Sequence, residues 1–202
     1  MRRLRARLLR FRAAMRSVAA GSTARVRAGR GVRLARHVRL VVGRESASAL
    51  RLGPRCSLGE GVSIVLRGGE IGIAADAVVG DDAYLDAARA GSIAVRARAE
   101  LRPGSVLRAD EGEISIGEGA VIGDLAVLSA SAAGPVRVGD GAEVGVKATL
   151  LPGADVASGA RVPPHTVVDG PFSDPAAGAA ARTRTRHARP ARRRSGPAAR
   201  SR

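Results

Sequence analysis

From Leu52 onward, large aliphatic residues recur every six positions in short runs: Leu52, Leu58 and Ile64, then Ile73, Val79 and Leu85, then Val95, Leu101 and Leu107. Ile116, Ile122 and Leu128 make the next run, and Val138, Val144, Leu150, Val156 and Val162 the last. Steps of 9 or 10 separate the runs, so their starts fall 21 or 22 residues apart. Four positions after each aliphatic stands a second inward residue, small or β-branched, as at Cys56, Val62, Ala77, Ala83, Ala99 and Ser105. The exceptions, Arg89 and Glu111, precede the extra three or four residues between runs, where the chain is expected to bulge outward. A step of six suits neither a helix, whose faces recur at three and four, nor a long alternating strand. It suits one flat side of a three-sided parallel β-helix, with coils of about 18 residues, some enlarged at one corner. Five to six such coils, stacked at a strand spacing of about 4.8 Å, predict a rod of roughly 25 to 30 Å. Open ends of such a stack need caps.

Composition agrees with that interior. Phe11, Tyr84 and Phe172 are the aromatic residues and there is no Trp, so the core must be built from Val, Ile, Leu and Ala. The 26 glycines are expected at tight turns with residues at positive φ. The single cysteine, Cys56, excludes an internal disulfide and a cysteine-based metal cluster. No run of about 18 apolar residues predicts a transmembrane helix. The formal net charge of +16 belongs to the ends. Residues 1–39 carry 13 Arg and no acid, residues 173–202 carry a balance of +8, and the middle is −5. That acidic middle, without aromatic platforms, gives no ground for a specific nucleic-acid partner.

The hexad pattern resembles the hexapeptide-repeat acyltransferases of the left-handed β-helix type, over about residues 50–171. The closest stretch is Pro135-Val-Arg-Val-Gly-Asp-Gly-Ala-Glu-Val-Gly-Val-Lys-Ala-Thr-Leu-Leu-Pro-Gly153, similar to that family's final-coil sequence. The exit Val162-Pro-Pro-His-Thr-Val-Val-Asp-Gly-Pro171 resembles its terminating segment. The resemblance implies acyl transfer from acetyl-CoA or another acyl-CoA to a hydroxyl or amine of a sugar or cell-envelope precursor. It also implies a homotrimer with sites between subunits. Members of that family use a histidine as base upstream of the final coil, yet the matching segment here, Val127-Leu-Ser-Ala-Ser131, has none. His37 and Ser131 are therefore the catalytic candidates; His165 reads as a surface turn residue, and His187 lies in the basic tail. For the pantetheine arm, the matching positions are Val146, Ala148 and Ala160, where small residues are equally explained by packing. The coils after Gly153 are shorter than in the family. A weaker likeness, to γ-type carbonic anhydrases, rests on Val106-Leu-Arg-Ala-Asp110 and Glu113-Ile-Ser-Ile-Gly117. Ser129, Val146 and Leu151 stand where that family has its zinc histidines, so no metal is expected, and Arg108 and Asp110 read as surface ion-pair residues.

The ends invite separate readings. Met1, Leu4, Leu8, Phe11, Met15 and Val18 alternate at spacings of three and four among arginines, which predicts a basic amphipathic helix over 1–22. Such a helix either lies on an anionic membrane surface through residues 1–20 or caps the open end of the solenoid. The Arg/Ala/Pro-rich segment 172–202 is expected to be a disordered tail. The whole reads as an all-β chain with a β-helix domain over 23–171, cytoplasmic or peripheral on the inner face of the membrane. Its function is acyl-CoA-dependent O- or N-acyltransfer, or alternatively that of a catalytically inactive β-helix scaffold.

Overall fold

The computed structural model describes residues 25–43 and 47–173. The helix expected over 1–22 and all but the first two residues of the 172–202 tail lie outside these described residues. Within them the chain is a three-sided parallel β-solenoid. The first coil holds β1 (Arg25–Ala28), β2 (Arg33–Leu34) and β3 (Arg39–Val42), and the second holds β4 (Ala49–Leu52), β5 (Ser57–Leu58) and β6 (Ser63–Arg67). β7 (Glu70–Ile73), β8 (Val78–Val79) and β9 (Tyr84–Ala88) follow, then β10 (Ser92–Val95), β11 (Glu100–Leu101) and β12 (Val106–Asp110). The fifth coil is β13 (Glu113–Ile116), β14 (Val121–Ile122) and β15 (Val127–Ser131), and the sixth β16 (Val136–Val138), β17 (Glu143–Val144) and β18 (Thr149–Leu150). β19 (Asp155–Val156), β20 (Arg161–Val162) and β21 (Val167–Val168) complete a seventh, and β22 (Pro171–Phe172) begins one more turn.

Every third strand pairs in parallel with the strand one coil away. The first sheet runs β1-β4-β7-β10-β13-β16-β19-β22, the second β2-β5-β8-β11-β14-β17-β20, and the third β3-β6-β9-β12-β15-β18-β21. Register follows the hexads: Leu58 lies beside Val79, Leu101 beside Ile122, and Leu107 between Leu85 and Leu128.

Seven coils stand where five to six are expected from the sequence. The additional coil precedes Leu52, and its hexad positions are Ala28, Leu34 and Leu40. Ala28 in place of a large aliphatic hides the run's start, although Val38 and Leu40 are buried like their successors. The enlarged corner also differs from expectation. Most of its extra residues do not bulge out; they lengthen the third and first sheets and add core positions such as Leu66, Ile71, Ile93 and Ile114, all at most 1% exposed. Arg89, Ala90 and Glu111 turn outward there at φ 45°, 65° and 57°, and Ala132 and Ala133 are exposed at the same corner one coil further on. Core burial is otherwise aliphatic, plus Cys56, whose thiol is pushed up to about 11 by burial, and Ser105, whose hydroxyl is buried without a hydrogen-bond partner.

The tight corners assign glycine two jobs. Gly61, Gly104, Gly119 and Gly141 take the left-handed conformation, but Arg55, Asp76, Leu125 and Lys147 take it at equivalent turns despite their side chains. Glycines at the first turn position serve the stacking instead: a Cβ on Gly117 would come within 2.4 Å of the Gly139 carbonyl carbon one coil on.

Candidate functional site

The residues singled out from the sequence are distributed over the solenoid and do not converge. His37 occupies the left-handed position of the corner leading into β3, with its side chain 73% exposed and Nδ1 3.1 Å from Glu60 Oε1. Ser131 ends β15 four coils away, on the corner between the third and first sheets, roughly 19 Å along the stack at the usual strand spacing. Its Oγ accepts a hydrogen bond from the Ala133 N–H at 3.2 Å, and its backbone exchanges bonds with Gly134. Ser131 therefore shapes a turn, and no histidine adjoins it among the described residues. His165 sits on the same corner column as His37 at the opposite end, exposed, its N–H donating to the Val146 carbonyl at 2.9 Å.

Of the pantetheine positions, Val146 faces outward and is 37% exposed, whereas Ala148 and Ala160 point into the core. The N–H of Ala148 donates to Gly145 at 3.2 Å and that of Ala160 to Ala157 at 3.1 Å, so each closes its own turn. Among the described residues no cluster of three or more His, Cys, Asp or Glu is placed to hold a metal.

Asp110 is paired across coils with Arg89, Nε to Oδ1 at 2.6 Å, rather than with Arg108. The pairing follows from strand geometry: Arg108 and Asp110 share the outer face of β12 but lie two residues apart along it, while Arg89 turns back from the neighbouring coil. The Asp110 carboxyl is held below its usual range mainly by Arg89, with burial opposing.

A polar group that the hexad reading does not single out lies on the outer face of the third sheet. Asp86, mid-strand in β9, is buried to 3% side-chain exposure beneath Arg67, whose Nη2 donates to Oδ2 at 2.5 Å. The Tyr84 hydroxyl donates to the same oxygen at 3.3 Å, and burial together with the Asp86 charge raises the phenol above its ordinary value. Oδ1 of Asp86 is buried without a hydrogen-bond partner. A buried acceptor in that state costs roughly 1–3 kcal/mol and will take any donor that reaches it. Its signal in the sequence is an aspartate at an alternation position whose neighbours up and down the ladder are Val65 and Arg108. Along the same face run Val106, Val127 and Thr149, with Leu151 and Val167 further exposed, so this side is the most apolar of the three exteriors.

No family model matches the chain, and no curated protein does. Among solved structures, it is similar to a variant of GDP-perosamine N-acetyl transferase from Caulobacter crescentus, in complex with CoA and GDP-perosamine, at 24% identity and a TM-score of 0.35. That match covers 85% of this chain and 59% of the other, so the chain spans less than two thirds of that protein. It is also similar to the UDP-N-acetylglucosamine acyltransferases of Campylobacter jejuni and Arabidopsis. The first shows 12% identity and a TM-score of 0.34 over 76% of this chain and 71% of that one. The second shows 14% and 0.31 over 77% and 72%.

Proposed function

We propose that the protein is an acyl-CoA-dependent O- or N-acyltransferase acting on a sugar or cell-envelope precursor, with acetyl-CoA or a longer acyl-CoA as co-substrate. The observation that supports this reading is the behaviour of residues 135–153. They fold as β16, β17, β18 and the Pro152-Gly153 turn, in register with the coils on both sides, as their resemblance to the acyltransferase final coil implies. In this reading an acceptor hydroxyl or amine attacks the thioester carbonyl, gives its proton to a general base, and backbone N–H groups hold the oxyanion. The protein works as a homotrimer packed through the apolar exterior of the third sheet, in the cytoplasm or against the inner face of the membrane.

A catalytically inactive scaffold is the second reading, and the placement of the candidate bases favours it. His37 and His165 sit on exposed turns at opposite ends, and Ser131 is engaged in its own turn. One experiment separates the two: the melting temperature of the purified trimer, its mass checked by sedimentation, with and without millimolar acetyl-CoA and longer acyl-CoAs. A ligand at 100 times its dissociation constant stabilises by about 2.7 kcal/mol, so the transferase predicts a dose-dependent rise and acceptor-dependent release of CoA. No shift with any acyl-CoA in a folded trimer leaves the scaffold.

A further inference from the structure

The exterior of the first sheet carries a groove that neither reading uses. Its outermost row runs Arg27, Arg51, Gly72 and Ala94 through β1, β4, β7 and β10, one coil per step. Long side chains thus give way to bare backbone at Gly72, where an added Cβ would meet nothing within 4 Å, and then to a single methyl. Ala74 lies beside this row and Arg96 at the far edge of a shallow depression of about 440 Å³ that is wide open to solvent.

The lining selects the ligand's chemistry. Arg27 and Arg51 stand on adjacent strands, about 4.8 Å apart at the backbone. Two guanidiniums so placed repel each other until an anion bridges them. Arg51 has Glu70 Oε2 at 4.0 Å, while no ion pair to Arg27 or Arg96 is present among the described residues. A planar guanidinium grips phosphate bidentately and also stacks on flat rings. β4, β7 and β10 are each paired on both sides, so the floor has no free ladder edge for an extended peptide. It is a flat, carbon-rich shelf on which one face of a ring is buried, whereas a flexible acyl chain would stay wet in so open a groove. We propose that this groove binds a nucleotide: the base lies on Gly72 and Ala94 against Arg96, and the phosphates bridge Arg27 and Arg51. The site is on a different face from the third sheet and stands independently of the transferase reading.

Calorimetric titration of the full chain with ADP tests it, with adenosine and inorganic phosphate as separate probes. Saturable binding of one ADP per chain is expected, at least tenfold tighter than either probe. Gly72→Leu puts a bulky side chain on the shelf at a position where an added Cβ meets nothing within 4 Å, and should weaken ADP at least tenfold without lowering the melting temperature; Arg51→Gln should weaken it similarly. Absence of saturable binding overturns the proposal. So does unchanged affinity in Gly72→Leu, which would place ADP on the basic ends, and so does phosphate binding as tightly as ADP, which would show bare charge attraction.

Discussion

Glycine is where sequence and structure part most instructively. Read from the sequence, a glycine in a turn means positive φ, and Gly61, Gly104 and Gly141 obey. Gly53, Gly117 and Gly139 are required for another reason, the approach of the next coil's backbone to 2.4–2.5 Å of where a Cβ would be. That distance depends on a partner 19 to 22 positions away, which no local pattern records. Two substitutions separate the cases. Gly117→Ala forces backbone against backbone and should destabilise by about 1–3 kcal/mol, the usual range for overpacking. Gly72→Ala, in mid-strand with open space around it, should stabilise by about 0.5–1 kcal/mol because it removes the entropy glycine loses on folding. Chemical denaturation of both variants measures the pair; equal effects would refute the stacking role assigned to Gly117.

Strands of two residues would not hold alone, and here they hold because each pairs in register with a neighbouring coil, on both sides everywhere but at the ends of the sheets. The hexads made these strands legible from Leu52 to Val162, since one aliphatic per flat side is all the core requires. The first coil was not legible because Ala28 breaks the run, and the corner residues were misjudged because their inward alternation, Leu66 then Ile71, departs from six. Between coils, ion pairs reinforce the ladder at the corners: Arg55 holds Asp76 through Nε at 2.6 Å, and Arg89 holds Asp110 in the same manner. Both carboxyls lie below their ordinary value, each chiefly through the hydrogen bond from its arginine. Their contribution to stability is therefore fully present above the unfolded carboxylate value, about 3.9, and is lost as pH falls through the lower folded values. A melting series from pH 7 to pH 2.5 should show a drop below about pH 4 that is smaller in the Asp76→Asn, Asp110→Asn double variant. Parallel curves would mean that the corner pairs contribute nothing, as many exposed pairs do.

Seen whole, the three exteriors differ although the interior repeats: one side sets valines and a leucine around the Arg67–Asp86 pair, one is polar and mixed, and one bears the arginine groove. The interior was readable because burial repeats with the coil. Asp86 and Tyr84 were not, because their meaning lies in Arg67 one coil away, and of the histidine that the family resemblance implies the sequence shows only its absence from Val127–Ser131. The stacking itself has a mechanical consequence. In the middle of the rod each strand is bonded to partners 21 or 22 residues away, from Leu50 to Ile71 to Ile93 to Ile114 to Val136, so no clamp joins the two ends directly. Pulled by its termini in an optical trap, the protein should unravel from an end as a series of near-equal extensions, each about 70 Å, the contour of one coil at about 3.4 Å per residue. A single rupture releasing the full contour would mean that the coils act as one body. The expected staircase would make the molecule a spring that yields a link at a time and rewinds onto whatever turns remain.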